Sequence, residues 1–210
     1  MFRNKDSHRT NRMLHFSLGL MLIASLFLSF AYPVAADAPA PDKSVEAFET
    51  LYMKRMITNH ALAVQKAAVC TANAVEEELR ELCANISANH SQELNSLRSM
   101  YASWYGTSYD PQFSPGDLKQ IDMLSQVEGS RFDIKFMKDT IRGHRLSILK
   151  SLMCAEEVYH QDLQDHCQAS VSSAAAEIHQ MQTWLCDWYE VCKPEPPTFT
   201  SPEEVIETNQ

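Results

Sequence analysis

The chain repeats itself. Shifted by 84 positions it falls on itself without a gap: Phe48 meets Phe132, Met53 Met137, Ile57 Ile141, His60 His144, Cys70 Cys154, Leu79 Leu163, Cys83 Cys167 and Glu93 Glu177, and Trp104-Tyr105 meets Trp188-Tyr189. A long helical unit present in only two copies predicts a duplicated helical hairpin, not a solenoid. Spacing inside the unit is also matched. His60 lies 10 positions before Cys70 and Glu93 lies 10 after Cys83, as do His144 and Glu177 around Cys154 and Cys167. If each cysteine pair is joined across the turn of an antiparallel hairpin, His and Glu stand at one height, roughly 15 Å from the turn at ~1.5 Å per residue.

The cysteines support that geometry. The six stand at 70, 83, 154, 167, 186 and 192. An even count in an exported chain reads as disulfides, and equivalent residues should pair equivalently, giving Cys70–Cys83 and Cys154–Cys167 and leaving Cys186–Cys192. Thiolate metal binding is the competing reading, but no C-x-x-C pair is present. Export is read from the first 36 residues: a basic stretch to Arg12, an apolar run from Met13 to Ala31, and small residues at Val34-Ala35-Ala36, with cleavage before Asp37. An uncleaved anchor is the alternative; after cleavage no stable membrane insertion is expected. The compartment is the periplasm or the exterior.

Losing Arg3, Lys5, Arg9 and Arg12 with Asp6 takes the formal charge from −9 to −12. So acidic a chain is a poor nucleic-acid binder and suits cations.

Residues 37–43 read as a linker and 44–192 as one all-α domain: repeat one 45–105, a connection 106–128, repeat two 129–192, then a disordered tail 193–210. The first helix is expected to start near Ser44 as N-cap, with Phe48, Tyr52, Met56, His60, Ala63 and Ala67 on one face. A turn near Thr71–Val75 leads to a second helix whose inner face carries Leu79, Cys83, Ile86, His90, Glu93, Leu97, Tyr101 and Trp104. Gly106 ends it. Ser114 and Pro115 open a short helix to about Gln126, within a connection long enough to cross the bundle. The third long helix spans about Ser130–Val158 and the fourth about Gln161–Tyr189. The expected architecture is a four-helix bundle, ferritin-like, built from two hairpins.

The candidate site is His60, His90, Glu93, His144 and Glu177. Imidazole and carboxylate at one height suit a divalent transition metal. A His bonded to a Glu on the neighbouring helix is equally a satisfied polar pair that fixes register, and both readings stand at this point. Met56 and Met181 lie one turn from His60 and Glu177; thioethers favour Cu(I), though Met at helical spacing is ordinarily core. His160, His166 and His179 are expected at the surface. No G-x-S-x-G, Gly-rich phosphate loop or H-E-x-x-H occurs, and with every cysteine bridged no catalytic thiol remains, so an enzyme is not expected.

The strings Met56-Ile57-Thr58-Asn59-His60 and Glu177-Ile178-His179-Gln180-Met181-Gln182-Thr183-Trp184-Leu185 resemble the exported ferritin-like family known as domain of unknown function 305, with its M-I-x-H-H-x-x-A-I-x-M-A and Q-x-x-E-I-x-x-M-x-x-W-L patterns. The resemblance spans roughly residues 45–190. It implies a periplasmic four-helix bundle, and copper binding in some members. His60, Glu93, His144, Glu177 and Met181 carry over, with Met56 beside them. The first His of the family pair is Asn59 and Gly143, the later Met is Lys66 and Lys150, the Gln is His90 and Ala174, and Leu97 replaces the Met kept as Met181.

The function expected is therefore metal binding, with copper first and other divalent transition metals next, for buffering or transport in metal tolerance. Alternatives are a metal-free structural or interaction bundle and, more remotely, a ferritin-like oxidase. The oxidase would need about four carboxylates with Glu-x-x-His pairs, where this chain aligns two carboxylates in His-x-x-Glu order. A homo-oligomer or a periplasmic protein partner is compatible with either main reading.

Overall fold

The computed structural model describes residues 38–192. The signal-peptide reading of 1–36, its cleavage before Asp37 and the tail 193–210 lie outside the described residues.

Five helices and no strand are formed among the described residues: α1 Lys43–Asn73, α2 Glu77–Tyr105, α3 Pro115–Ser125, α4 Ser130–Glu157 and α5 Gln161–Tyr189. Helix α1 begins at Lys43, two residues earlier than a Ser44 cap would place it. Asp42, not Ser44, is the N-cap, accepting from the amides of Ser44 and Val45, because a carboxylate at the dipole's positive end outcompetes a hydroxyl. The helix also runs through Thr71, whose hydroxyl donates back to the Ala67 carbonyl, so the turn is only Ala74–Glu76. Gly106 ends α2 in the left-handed region, at φ 65°, where a Cβ would be strained.

Helices α1 and α2 form one hairpin, α4 and α5 the other, and α1 packs on α4. The connection runs back along α1. Gln112 donates its amide to the Thr58 hydroxyl, Lys66 donates to Gln120 on α3, and Leu124 joins the apolar cluster around Cys70. It is thus a crossover, as its length predicted. All three expected disulfides form: Cys70–Cys83 and Cys154–Cys167, paired by the repeat, and Cys186–Cys192, the remaining pair.

The core comes in two apolar layers. One surrounds Cys70–Cys83 with Phe132, Phe136, Met137, Ile141, Met181 and Leu185; the other surrounds Cys154–Cys167 with Tyr52, Met53, Met56, Ile57, Leu97 and Trp104. Each bridged turn packs against the open end of the other hairpin. Burying each such side chain stabilises the fold by ~1.5–3 kcal/mol.

Two carboxylates lock the hairpins together. Glu49, fully buried on α1, accepts from the amides of Tyr159 and His160 at the α4–α5 turn, from His160 Nδ1 and from the Tyr105 hydroxyl. Asp133, fully buried on α4, accepts from the amides of Val75 and Glu76 at the α1–α2 turn and from the Tyr189 hydroxyl. His160 is therefore a core residue and not the surface histidine the sequence suggested. Its ring lies flat on Trp104 at 3.8 Å, and its Nε2 meets the Ala38 carbonyl at 2.9 Å.

Candidate metal centre

A polar layer separates the two apolar ones, at the height the repeat predicted. His60 comes from α1, His90 and Glu93 from one turn of α2, His144 from α4 and Glu177 from α5. All five line one cavity of about 360 Å³, as does Met56. Met181, fully buried one turn from Glu177, lies in the apolar layer around Cys70–Cys83 and is not part of the cavity wall.

The two His–Glu pairs meet through His90. His60 Nδ1 stands 2.8 Å from His90 Nδ1, His90 Nδ1 stands 2.8 Å from Glu93 Oε2, and His60 Nδ1 is 3.3 Å from the same oxygen. Across the cavity His144 Nε2 is 2.5 Å from Glu177 Oε2. The His90 and His144 ring centres are 6.1 Å apart. Two sets of three donors result, His60–His90–Glu93 and His90–His144–Glu177, with donor atoms in each set within 4.8 Å of one another.

The tight triangle is short of protons. Two imidazole nitrogens and a carboxylate oxygen meet at one point, and each ring nitrogen carries at most one proton. No placement of protons gives every edge its own linear hydrogen bond. A cation at that point takes all three lone pairs at once. Donors held ~2.0–2.1 Å from a metal lie about 2.8–3.4 Å from one another in octahedral or tetrahedral shells, and the observed edges span that range. The Nε2 atoms of His60 and His90 are buried without a partner.

The electrostatics agree. Burial, reinforced by the neighbouring His90, pushes the His60 imidazole down to about 3, against the pull of Glu93. It is neutral and free to donate a lone pair at any ordinary pH. Burial opposes the charge on Glu93, yet the His90 hydrogen bond and the nearness of His60 hold its carboxyl below the usual range.

His166, expected at the surface, also joins the layer. Its ring meets His60 edge-on at 5.9 Å, its Nε2 is buried and unpartnered, and burial lowers its affinity for a proton. The repeat hid it, since its counterpart is Leu82. The stripe Leu163, Cys167, Ser170, Ala174 would have placed it one position off the inward face of α5. His179 is exposed, as expected.

The family model for Domain of unknown function (DUF305) matches residues 49–185. Among solved structures the chain is similar to CopM in its Cu(I)-bound form, at 20% identity and a TM-score of 0.61, over 67% of this chain and 97% of that one. CopM in the Cu(II)-bound form gives the same identity, coverage and TM-score. A DUF305 fragment from Deinococcus radiodurans is 18% identical, with a TM-score of 0.60 over 70% of this chain and 97% of that one. At these identities the likeness shows a shared fold. No curated protein matches the chain in sequence.

Proposed function

This chain belongs to the DUF305 family, and we propose that it is an exported metal-binding protein that holds copper as cargo, buffering or passing it on in metal tolerance without converting a substrate. The observation that carries this reading is the convergence of His60 Nδ1, His90 Nδ1 and Glu93 Oε2 within 3.3 Å. Copper-bound forms of CopM, which shares the fold, add support. The donor set departs from a thioether site. Imidazole and carboxylate suit Cu(II) and other borderline divalent ions, while soft Cu(I) has only Met56 near the cavity. The reading therefore favours the divalent state. Export is read from the basic and apolar start of the chain, which also supplies the oxidising compartment that three disulfides require.

A second reading, a metal-free braced bundle, draws on the His144–Glu177 contact, which is a complete hydrogen bond as it stands. Calorimetric titration of the disulfide-intact chain with Cu(I), Cu(II), Zn(II) and Fe(II) separates the two. The metal reading expects near-stoichiometric binding that a His60→Ala/His144→Ala chain loses. Binding no tighter than a surface histidine provides would leave the braced bundle as the answer.

A further inference from the structure

Helix α4 carries charge on its outer face against the sign of the chain. Between Ser130 and Met153 it holds six basic residues and two acidic ones, while the whole chain stands at −9. Both acids are engaged. Asp133 is buried in the clamp at the α1–α2 turn, and Asp139 takes Lys135 at 2.8 Å and Arg142 at 3.0 Å. Arg131, Lys138 and Arg145 are exposed and pair with no acid among the described residues. Arg131, Lys138, Arg142, Arg145, Leu149 and Met153 follow at steps of seven, four, three, four and four, which makes one exposed stripe down the helix. Its far end is apolar. Leu146, Leu149, Leu152 and Met153 are each 48–60% exposed, within about two turns. Large apolar side chains gathered in one exposed patch mark a surface that is covered by a partner.

The chain itself carries the complement. Residues 193–210 hold four glutamates against one lysine. Within them Glu203-Glu204-Val205-Ile206-Glu207 sets an apolar pair between acids, as α4 sets Leu146 and Leu149 between Arg145 and Lys150. The segment also leaves the bundle at the basic end of the stripe. Trp188, Tyr189 and Val191, after the last turns of α5, pack on the cluster that holds Phe132 and Phe136 of α4, and Cys192 is tied to Cys186. Lys193 therefore starts beside the first turns of α4. From Arg131 to Met153 the stripe is 22 residues of helix, ~33 Å at ~1.5 Å per residue. The 18 residues of 193–210 reach up to ~60 Å when extended. So acidic a segment cannot build a core of its own and gains order only on a surface that offers both cations and apolar area.

We propose that residues 193–210 are the occupant of the outer face of α4. Glu203, Glu204 and Glu207 pair with Arg142, Arg145 and Lys150, and Val205 and Ile206 cover Leu146 and Leu149. The contact forms within one chain. It is screened by salt because its ion pairs lie at the surface. It stands independently of the metal reading.

Nitrogen-15 relaxation of the disulfide-intact chain tests this. At ~0.01 M salt the backbone order parameters of Glu203–Glu207 are expected above ~0.6, and they should fall below it at ~1 M, where the Debye length has shrunk from ~30 to ~3 Å. Arg145→Glu/Lys150→Glu should release the segment at low salt, and adding Glu203→Lys/Glu204→Lys to that chain should order it again. Low order parameters in the unaltered chain at low salt overturn the inference, as does ordering that the charge reversal on α4 leaves unchanged. Ordering that appears only as concentration rises, with a dimer in sedimentation, gives the face to a second copy instead. An unordered segment, with binding to phosphatidylglycerol vesicles that the charge reversal abolishes, gives it to an anionic membrane.

Discussion

Glu49 and Asp133 make the same connection in opposite directions. Each sits fully buried near the start of its hairpin's first helix, accepts the amides that open the second helix of the other hairpin, and is held by the closing tyrosine of its own. They are 84 residues apart, and so are Tyr105 and Tyr189. The duplication therefore preserved a reciprocal clamp, and that clamp sets the height at which the histidines of the two hairpins face one another.

Removing a clamp carboxylate should cost more than removing its tyrosine. Glu49→Ala or Asp133→Ala strands several buried donors and is expected to destabilise the chain by about 3–5 kcal/mol. Tyr105→Phe or Tyr189→Phe removes one donor and should cost about 1–3 kcal/mol. Both hydroxyls are held protonated well above the usual phenol range, by burial first and then by the carboxylate they donate to. Denaturant midpoints across the four variants check the order, and an equal loss at carboxylate and tyrosine would contradict it.

Each turn disulfide closes a loop of 13 residues in sequence separation. Replacing Cys70 and Cys83 together by alanine is expected to cost about 3 kcal/mol, and Cys154 with Cys167 about the same. Thermal unfolding of the two double variants should show matched shifts. A shift confined to one hairpin would mean that the two do not unfold as one unit.

Much of this was legible in the chain. The 84-residue offset located both hairpins, their two turn disulfides and the common height of His60, Glu93, His144 and Glu177, and left Cys186–Cys192 as the remaining pair. What stayed hidden is where the copies diverge or where a carboxylate does capping work at long range. His166 faces Leu82 in the repeat and His160 faces Glu76, so neither gained support from symmetry. Glu49 sits on the inward stripe beside Phe48, but a lone acid there gives no sign that it caps a helix 110 residues away. The convergence through His90 depends on a single-copy residue, so only tertiary packing reveals it.

Acid should weaken the fold through the polar layer even without metal. His60 is pushed down to about 3 by burial, and His166 is lowered for the same reason. The unfolded chain protonates these rings near 6.5, while the folded chain resists. Both contributions are fully present above 6.5 and are lost as pH falls below it, that of His60 progressively toward about 3 at up to ~1.4 kcal/mol per pH unit. Glu93, held below its ordinary value, adds a loss in the same direction below about 4.5. Urea unfolding at pH 7.5, 5.5 and 4.5 should show that slope, and His60→Gln should flatten it. An unchanged slope in that variant would mean that His60 does not titrate as its burial requires.

His90 should matter more to metal affinity than either outlying candidate. It supplies two of the triangle's three edges, to His60 and to Glu93, and belongs to both donor sets. His90→Gln keeps the side chain polar but replaces an imidazole nitrogen with a weak amide donor. The expected loss is at least about tenfold in Cu(II) affinity, of the order set by removing one ligand or its orienting partner. Met181→Leu serves as the contrast. Met181 packs in the apolar layer around Cys70–Cys83, so the swap should leave affinity within about twofold while costing less than about 1.5 kcal/mol of stability. Competition titration against a Cu(II) chelator of known affinity measures both. If Met181→Leu weakened binding as much as His90→Gln, the donor set would have to include a thioether, and the assignment of the site to a divalent ion would be lost.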